Sequence, residues 1–154
     1  SGGLLAKPDS STVVEQVTGL IYGLVTNMTK YEFENNFITL TGDCRIVYSP
    51  DTAILGTGTK IEVVDNSSGA VLQVFYIVIF GDVNGDGNID SSDAGRLIDV
   101  ENYVFNWPEE LLFVFRKAGD LNNDGTLDSL DSGLIVDIEN YMQIVNQVTG
   151  TISV

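Results

Sequence analysis

The spacing of apolar residues changes near residue 80. Before it, apolar positions fall in short runs rich in β-branched and aromatic residues: "TVVEQV" at 12–17, "RIVYS" at 45–49, "KIEVV" at 60–64 and "VLQVFYIVIF" at 71–80. Runs of that length and composition predict strands. "DNSSG" at 65–69 carries turn chemistry and predicts a hairpin between the last two, and "GTGT" at 56–59 predicts a break. Thr29 followed by Glu32 fits a capping box, which predicts a short helix with Tyr31, Phe33 and Phe37 on its apolar side. The opening "SGGLLAKPDSS" has neither the basic start nor the apolar run of a signal peptide and reads as a linker. Residues 1–80 are therefore expected to form a small, strand-rich α+β module with one short helix.

After residue 80 the apolar period becomes helical. Leu97, Val100 and Val104 stand at one face's spacing, and Ile135, Ile138 and Met142 repeat it. Between them "NWPEELLFVFRKAG" has Pro108 near its start, acids early, Arg116 and Lys117 late, and Gly119 at its stop. That is the punctuation of a third helix. The two outer segments are copies: "IDVENY" at 98–103 returns as "VDIENY" at 136–141. "FYIVIF" leads through Gly81 straight into an acidic loop, so a nearly rigid junction is expected.

Charge sharpens the picture. The chain has 22 acids against 7 bases, a net charge of −15, and no histidine. Nucleic acid is a poor partner, because phosphate recognition needs clustered bases. The single cysteine, Cys44, excludes an internal disulfide and a thiolate metal site and reads as a small buried hydrophobe or a free thiol without function. No apolar run is long enough for a membrane-spanning helix. With no histidine and no nucleophile motif, an enzyme is not expected.

The acids concentrate in two loops, "DVNGDGNIDSSD" at 82–93 and "DLNNDGTLDSLD" at 120–131. Calcium takes six to eight oxygen ligands, which an EF-hand loop supplies at its positions 1, 3, 5, 7, 9 and 12 with Gly at 6. The first loop offers Asp82, Asn84, Asp86, Asn88, Asp90 and Asp93 around Gly87. The second offers Asp120, Asn122, Asp124, Thr126, Asp128 and Asp131 around Gly125. Asn88 and Thr126 would serve through backbone carbonyls. Two calcium ions are expected, because magnesium prefers fewer protein ligands. The last ligand is Asp rather than Glu in both loops, and a strand rather than a helix precedes the first. These features point to structural ions, not to a sensor that opens a groove.

The face of each helix opposite its apolar stripe carries Ser91, Gly95, Ile98 and Asn102, then Ser129, Gly133, Val136 and Asn140. Ser92 and Asp99, and Leu130 and Asp137, flank them. Each mid-helix Gly costs about 1 kcal/mol against Ala, which a close-approaching partner backbone would explain. Ile98 and Val136 are apolar where water is expected. Tyr103 and Tyr141 lie one turn further on.

The duplicated loop and helix resemble a dockerin, over about 82–148. The resemblance implies an all-α dockerin fold with two EF-hand-like calcium loops at 81–154. It implies an extracellular cellulosome-type complex and a partner, the cohesin module of a scaffoldin. It implies partner contacts at Ser91, Ser92, Ile98 and Asp99 and at Ser129, Leu130, Val136 and Asp137. The Lys-Arg pair of familiar enzyme-borne dockerins is replaced here by apolar–Asp in both repeats, so the cohesin surface should offer a base. The near-equal faces permit two binding orientations, but Ser92 against Leu130 and Arg96 against Leu134 favour one. Residues 1–80 resemble the X module that precedes some dockerins, and a bracing role for it is expected. Without its partner the chain is expected to be a monomer. A second reading has the first module bind carbohydrate on a platform of Tyr22, Tyr31, Tyr48 and Tyr76. Trp107, beside Pro108, is expected to pack.

Overall fold

Residues 2–154 are described by the structure, a computed structural model. In chain order the first part contains β1 (Gly3–Ala6), β2 (Val13–Glu15), β3 (Leu20–Tyr22), β4 (Met28–Thr29), α1 (Lys30–Glu32), a π-helical turn (Phe33–Phe37), β5 (Ile38–Thr41), β6 (Cys44–Ser49), β7 (Ile54–Leu55), β8 (Lys60–Asp65) and β9 (Val71–Ile77). The second part contains α2 (Ser91–Glu101), a 3-10 turn (Glu109–Leu111), α3 (Leu112–Gly119), α4 (Ser129–Glu139), β10 (Ile144–Val145) and β11 (Ile152–Ser153).

Five strands form one sheet in the order β2-β3-β9-β8-β6, with β3 and β9 parallel and the other neighbours antiparallel. β1–β5, β4–β7 and β10–β11 form separate pairs. The capping box holds: Glu32 N–H donates to Thr29 Oγ1, and Thr29 N–H returns to the Glu32 carboxylate. Phe33, one residue past α1, is fully buried. The opening is not a linker. Gly3–Ala6 pairs with Ile38–Thr41, and Leu4 is completely buried.

The long apolar run of β9 and its extension has a clear cause. Phe75, Ile77 and Ile79 enter one core with Ile21, Phe33, Ile61 and Val63. Val78 and Phe80 enter a second core with Leu20, Tyr22, Val83, Leu97, Trp107, Val114, Phe115 and Ile135. Side chains alternate along a strand, so a segment buried on both faces must be apolar at every position. The same alternation splits β3, whose Ile21 faces the first core while Leu20 and Tyr22 face the second. The two parts of the chain thus share a core across residue 80.

The tyrosine platform is not built. Tyr48 pairs with Ile61, which pairs with Phe75, whereas Tyr76 pairs with Lys60 and Ser49 lies in that row. Directly paired residues share a face, so Tyr48 and Tyr76 lie on opposite sides of the sheet. Tyr22 is buried, and its hydroxyl donates to Glu15.

The expectation of an all-α fold for 81–154 is overturned, and with it the idea of paired EF-hands. Loop 82–93 is entered from the end of the β9 extension, not from a helix. Only three segments, of 11, 8 and 11 residues, are α-helical. The C-terminal stretch "IVNQVTGTIS" folds as the β10–β11 hairpin, with Gly150 left-handed at its turn. Its β-branched flanks around a Gly favour a hairpin over a fourth helical turn. Gln147 then fastens the hairpin to the first part. Its side-chain amide takes Phe80 N–H at 2.7 Å and donates to Phe80 O at 2.9 Å, and its carbonyl accepts Gly23 N–H.

Both outer helices also end earlier than the apolar period predicts. Tyr103 N–H donates to Val100 O and Val104 N–H to Asp99 O. Tyr141 and Met142 make the same pair of bonds to Ile138 and Asp137. This is a Schellman stop, and it needs a left-handed residue at the turn. Val104 and Met142, expected in the core, are carried out of it and lie 74% and 64% exposed.

Candidate metal centres and the adjoining helix faces

Each acidic loop is tied by its last aspartate. Asp93 Oδ1 accepts Val83 and Asn84 N–H, and its Oδ2 accepts Asp90 N–H. Asp131 repeats this with Leu121, Asn122 and Asp128. Asp90 and Asp128 are N-caps of α2 and α4, accepting from Ser92 and Leu130 N–H at 3.0 Å. The loop and the helix start are thus one hydrogen-bonded unit, built twice. Asn84 and Asn122 accept from the backbone of Asp86 and Asp124. Those two carboxylates in turn accept Asn88 and Thr126 N–H.

The structure draws Asp82, Asp86 and Asp93 together, with one oxygen of each within 4.8 Å of the others, and Asp120, Asp124 and Asp131 likewise. Asn84, Asn88 and Asp90, and Asn122, Thr126 and Asp128, border these clusters without belonging to the carboxylate triads. The two side-chain ion pairs among the described residues, Lys30 with Asp51 and Lys60 with Glu62, lie elsewhere. No base among them neutralises either triad. Burial pushes Asp82 up to about 6, with Asp86 adding its charge against N–H donors from Thr57, Gly87 and Gly85. Burial pushes Asp93 up to about 7, and lifts Asp131 in the same direction. Asp124 is held below the ordinary carboxylate range, chiefly by Thr126 N–H. Three convergent carboxylates with no base, two of them buried in the first triad and one in the second, suit a hard divalent cation that takes oxygen ligands.

The two helices pack with the end of each beside the start of the other. Glu139 accepts Ser91 N–H at 2.8 Å, and Glu101 accepts Ser129 N–H at 2.7 Å. Ser132 Oγ donates to Ala94 O in the buried seam. These glutamates close each helix N-terminus from the other repeat, where a carboxylate is also favoured by the helix dipole. Their signal in the sequence is the shared "ENY".

The outer faces are open. A Cβ at Gly95 or Gly133 would meet nothing within 4 Å, so neither glycine serves packing inside the chain. Ile98 is 44% and Val136 39% exposed, Leu130 is well exposed, and Ser91, Ser92, Asp99, Asn102, Ser129 and Asn140 are exposed with them; Asp137 is half-buried. Tyr103 and Tyr141 are each 95% exposed with φ of 60° and 61°. A Tyr at the left-handed turn of a helix stop is strained where Gly would not be. Asymmetry is also visible: the Arg96 guanidinium lies 3.8 Å over the Phe105 ring, while its counterpart Leu134 is half-buried.

Sequence reasoning misses the residues of the first part that reach the first loop. Thr57 N–H donates to Asp82 Oδ2 at 2.9 Å, and Asn27 N–H donates to Gly87 O at 3.0 Å. "GTGT" is a break, as expected, but its glycines also admit the loop. Trp107 packs, as its place beside Pro108 suggests, and its indole N–H donates to Val83 O.

No helix among the described residues is long and apolar enough to cross a membrane. Residues 80–137 match the family model of the dockerin type I domain. No curated protein and no solved structure matches the chain. Dockerins are non-catalytic modules of extracellular cellulosome-type complexes that bind calcium and take cohesins as partners. Two carboxylate loops opening two equivalent helices lie inside the matched segment, so residues 80–137 are consistent with a dockerin type I domain.

Proposed function

We propose that this chain is a calcium-dependent anchor that plugs its parent polypeptide into an extracellular cellulosome-type assembly through a scaffoldin cohesin. Residues 81–154 are the docking module and residues 1–80 an accessory module that braces it. The twelve loop residues from Asp82 to Asp93 and from Asp120 to Asp131 identified by spacing hold two calcium ions. When bound, calcium supplies the positive charge that lets the carboxylates stay ionised side by side. The residues do the rest: Asp93 and Asp131 tie each loop to its helix, and the helices present Gly95, Ile98 and Asp99 and Gly133, Val136 and Asp137. The observation that carries the reading is that duplicated carboxylate triads sit at the starts of two helices whose outer glycines face open space.

The test is capture on a panel of immobilised cohesins, with calcium and with a chelator. Retention by at least one cohesin that the chelator abolishes is expected; retention by none, or retention indifferent to calcium, ends the reading. In the retained pair, Ile98→Asp and Val136→Asp together should weaken binding by about thirtyfold or more, as a central contact does. Only one of the two single variants should carry most of that loss if one orientation dominates.

The strained tyrosines give a second check. Tyr103→Gly and Tyr141→Gly relieve a left-handed residue and should each raise stability by up to about 1 kcal/mol. They should also lose cohesin affinity, because two exposed rings beside the face are gone. Thermal melts and binding isotherms on the same variants would read opposite signs. Unchanged affinity would remove both tyrosines from the partner face.

A further inference from the structure

We infer that the two metal loops are unequal. Gly56 and Thr57 of the first part position Asp82, so that loop 82–93 releases its ion slowly while loop 120–131 exchanges its own freely. The inference rests on the calcium reading above and goes beyond it, since that reading treats the two repeats as alike.

The first loop is gripped from outside itself. Asp82 Oδ2 takes Thr57 N–H at 2.9 Å together with Gly87 N–H at 3.0 Å. A Cβ at Gly56 would stand 2.1 Å from Gly85 O and 2.7 Å from Gly87 N, and one at Gly87 would stand 2.6 Å from Leu55 O. The backbone of 55–57 therefore lies against 85–87 with no room for a methyl group. Thr57 is itself held, its hydroxyl accepting Ile79 N–H and donating to Ile79 O. From behind, the Trp107 indole N–H donates to Val83 O at 3.0 Å.

The second loop has no such grip among the described residues. Asp120 accepts only from Asp124 and Gly125, inside its own loop. Gly125, the counterpart of Gly87, is exposed, and a Cβ there would meet nothing within 4 Å. Asp82 is completely buried, whereas Asp120 is half-buried. Releasing an ion requires the loop to open, and the free energy of local opening rises with the buried contacts that must break. Loop 82–93 must part from 55–57 to open; loop 120–131 need not.

The test uses the full chain loaded with calcium and mixed rapidly with an excess of fluorescent chelator. Two release phases of equal amplitude are expected, separated by at least about tenfold, since breaking such a contact network costs more than the equivalent of one decade in rate. The slow phase should carry a change in emission from Trp107, the single tryptophan, whose indole N–H bonds Val83 O. Asp124→Ala should delete the fast phase and Asp86→Ala the slow one; both residues are exposed, so these variants retain the fold. Gly56→Ala should accelerate the slow phase by about tenfold or more while leaving the fast one alone. Two equivalents leaving at one rate, a fast phase deleted by Asp86→Ala, or a slow phase indifferent to Gly56→Ala would each overturn the inference. Uptake of fewer than two equivalents would instead remove the calcium reading itself.

Discussion

Stripping calcium is expected to lower the thermal midpoint of the whole chain by at least about 10 °C at pH 8. A ligand present at a thousandfold its Kd stabilises by about 4 kcal/mol per site, and a chain of this size moves by about 2–4 °C per kcal/mol. The size of the loss depends on pH, and the sign follows from the buried aspartates. Asp82 and Asp93 are pushed up to about 6 and about 7 by burial in the metal-free protein. A carboxyl raised above its unfolded value contributes stability that is present below the ordinary aspartate range and lost as pH climbs through the raised value. The calcium-free protein should therefore weaken between pH 5 and pH 8. The loaded protein should run the other way, because protons compete for the same oxygens and acid expels the ion. The gap between loaded and stripped midpoints should widen from pH 5 to pH 8, read by paired melts on protein stripped before dilution into each buffer. Equal midpoints at pH 8, or a gap that does not move with pH, would show that the carboxylate clusters are stable without a cation.

Some of this architecture is legible in the chain because its causes are local. The Thr29–Glu32 capping box, the Asp65–Gly69 turn and the Asp90 and Asp128 helix starts each depend on a few consecutive residues, and each forms. What escapes is decided at a distance. β1 is held by partners near residue 40, and nothing in "GLLA" announces them. β3 is three residues long and takes its place from a parallel neighbour more than fifty residues away. The helix stops at Glu101 and Glu139 lack the Gly that usually signals them, since tyrosines occupy the left-handed turns. The C-terminal hairpin does carry a cue in "VTG", which the helical repeat before it obscures. The convergence of Asp82, Asp86 and Asp93, and of Asp120, Asp124 and Asp131, is readable because carboxylates at fixed loop spacing are a local pattern. The grip of Gly56 and Thr57 on the first loop is a long-range contact and is not.

The continuous apolar run ending at Phe80 has a consequence for how the molecule unfolds. Its alternate residues are split between two cores, so neither part can lose its packing without exposing the other's face. One cooperative transition is expected for the whole chain, and Phe115→Ala should show it most clearly. Phe115 belongs to α3 in the second part, is 5% exposed, and stacks flat on Trp107 with centroids 5.1 Å apart. Its ring also fills the space beside Gly58 of the first part, where a Cβ would lie 2.9 Å from it. Gly58 is left-handed at φ 88°, so the approach requires glycine there. Truncating a buried aromatic costs about 3–5 kcal/mol, a large share of the roughly 5–15 kcal/mol that a domain has in total. In urea, Trp107 emission reports the second part and far-ultraviolet dichroism is dominated by the sheet and helices together. Both should move to a lower midpoint by the same amount, with the slope unchanged. If the dichroism kept a transition at the original midpoint while the tryptophan signal fell early, residues 1–80 would be folding on their own, and the shared core would be a contact rather than a common foundation.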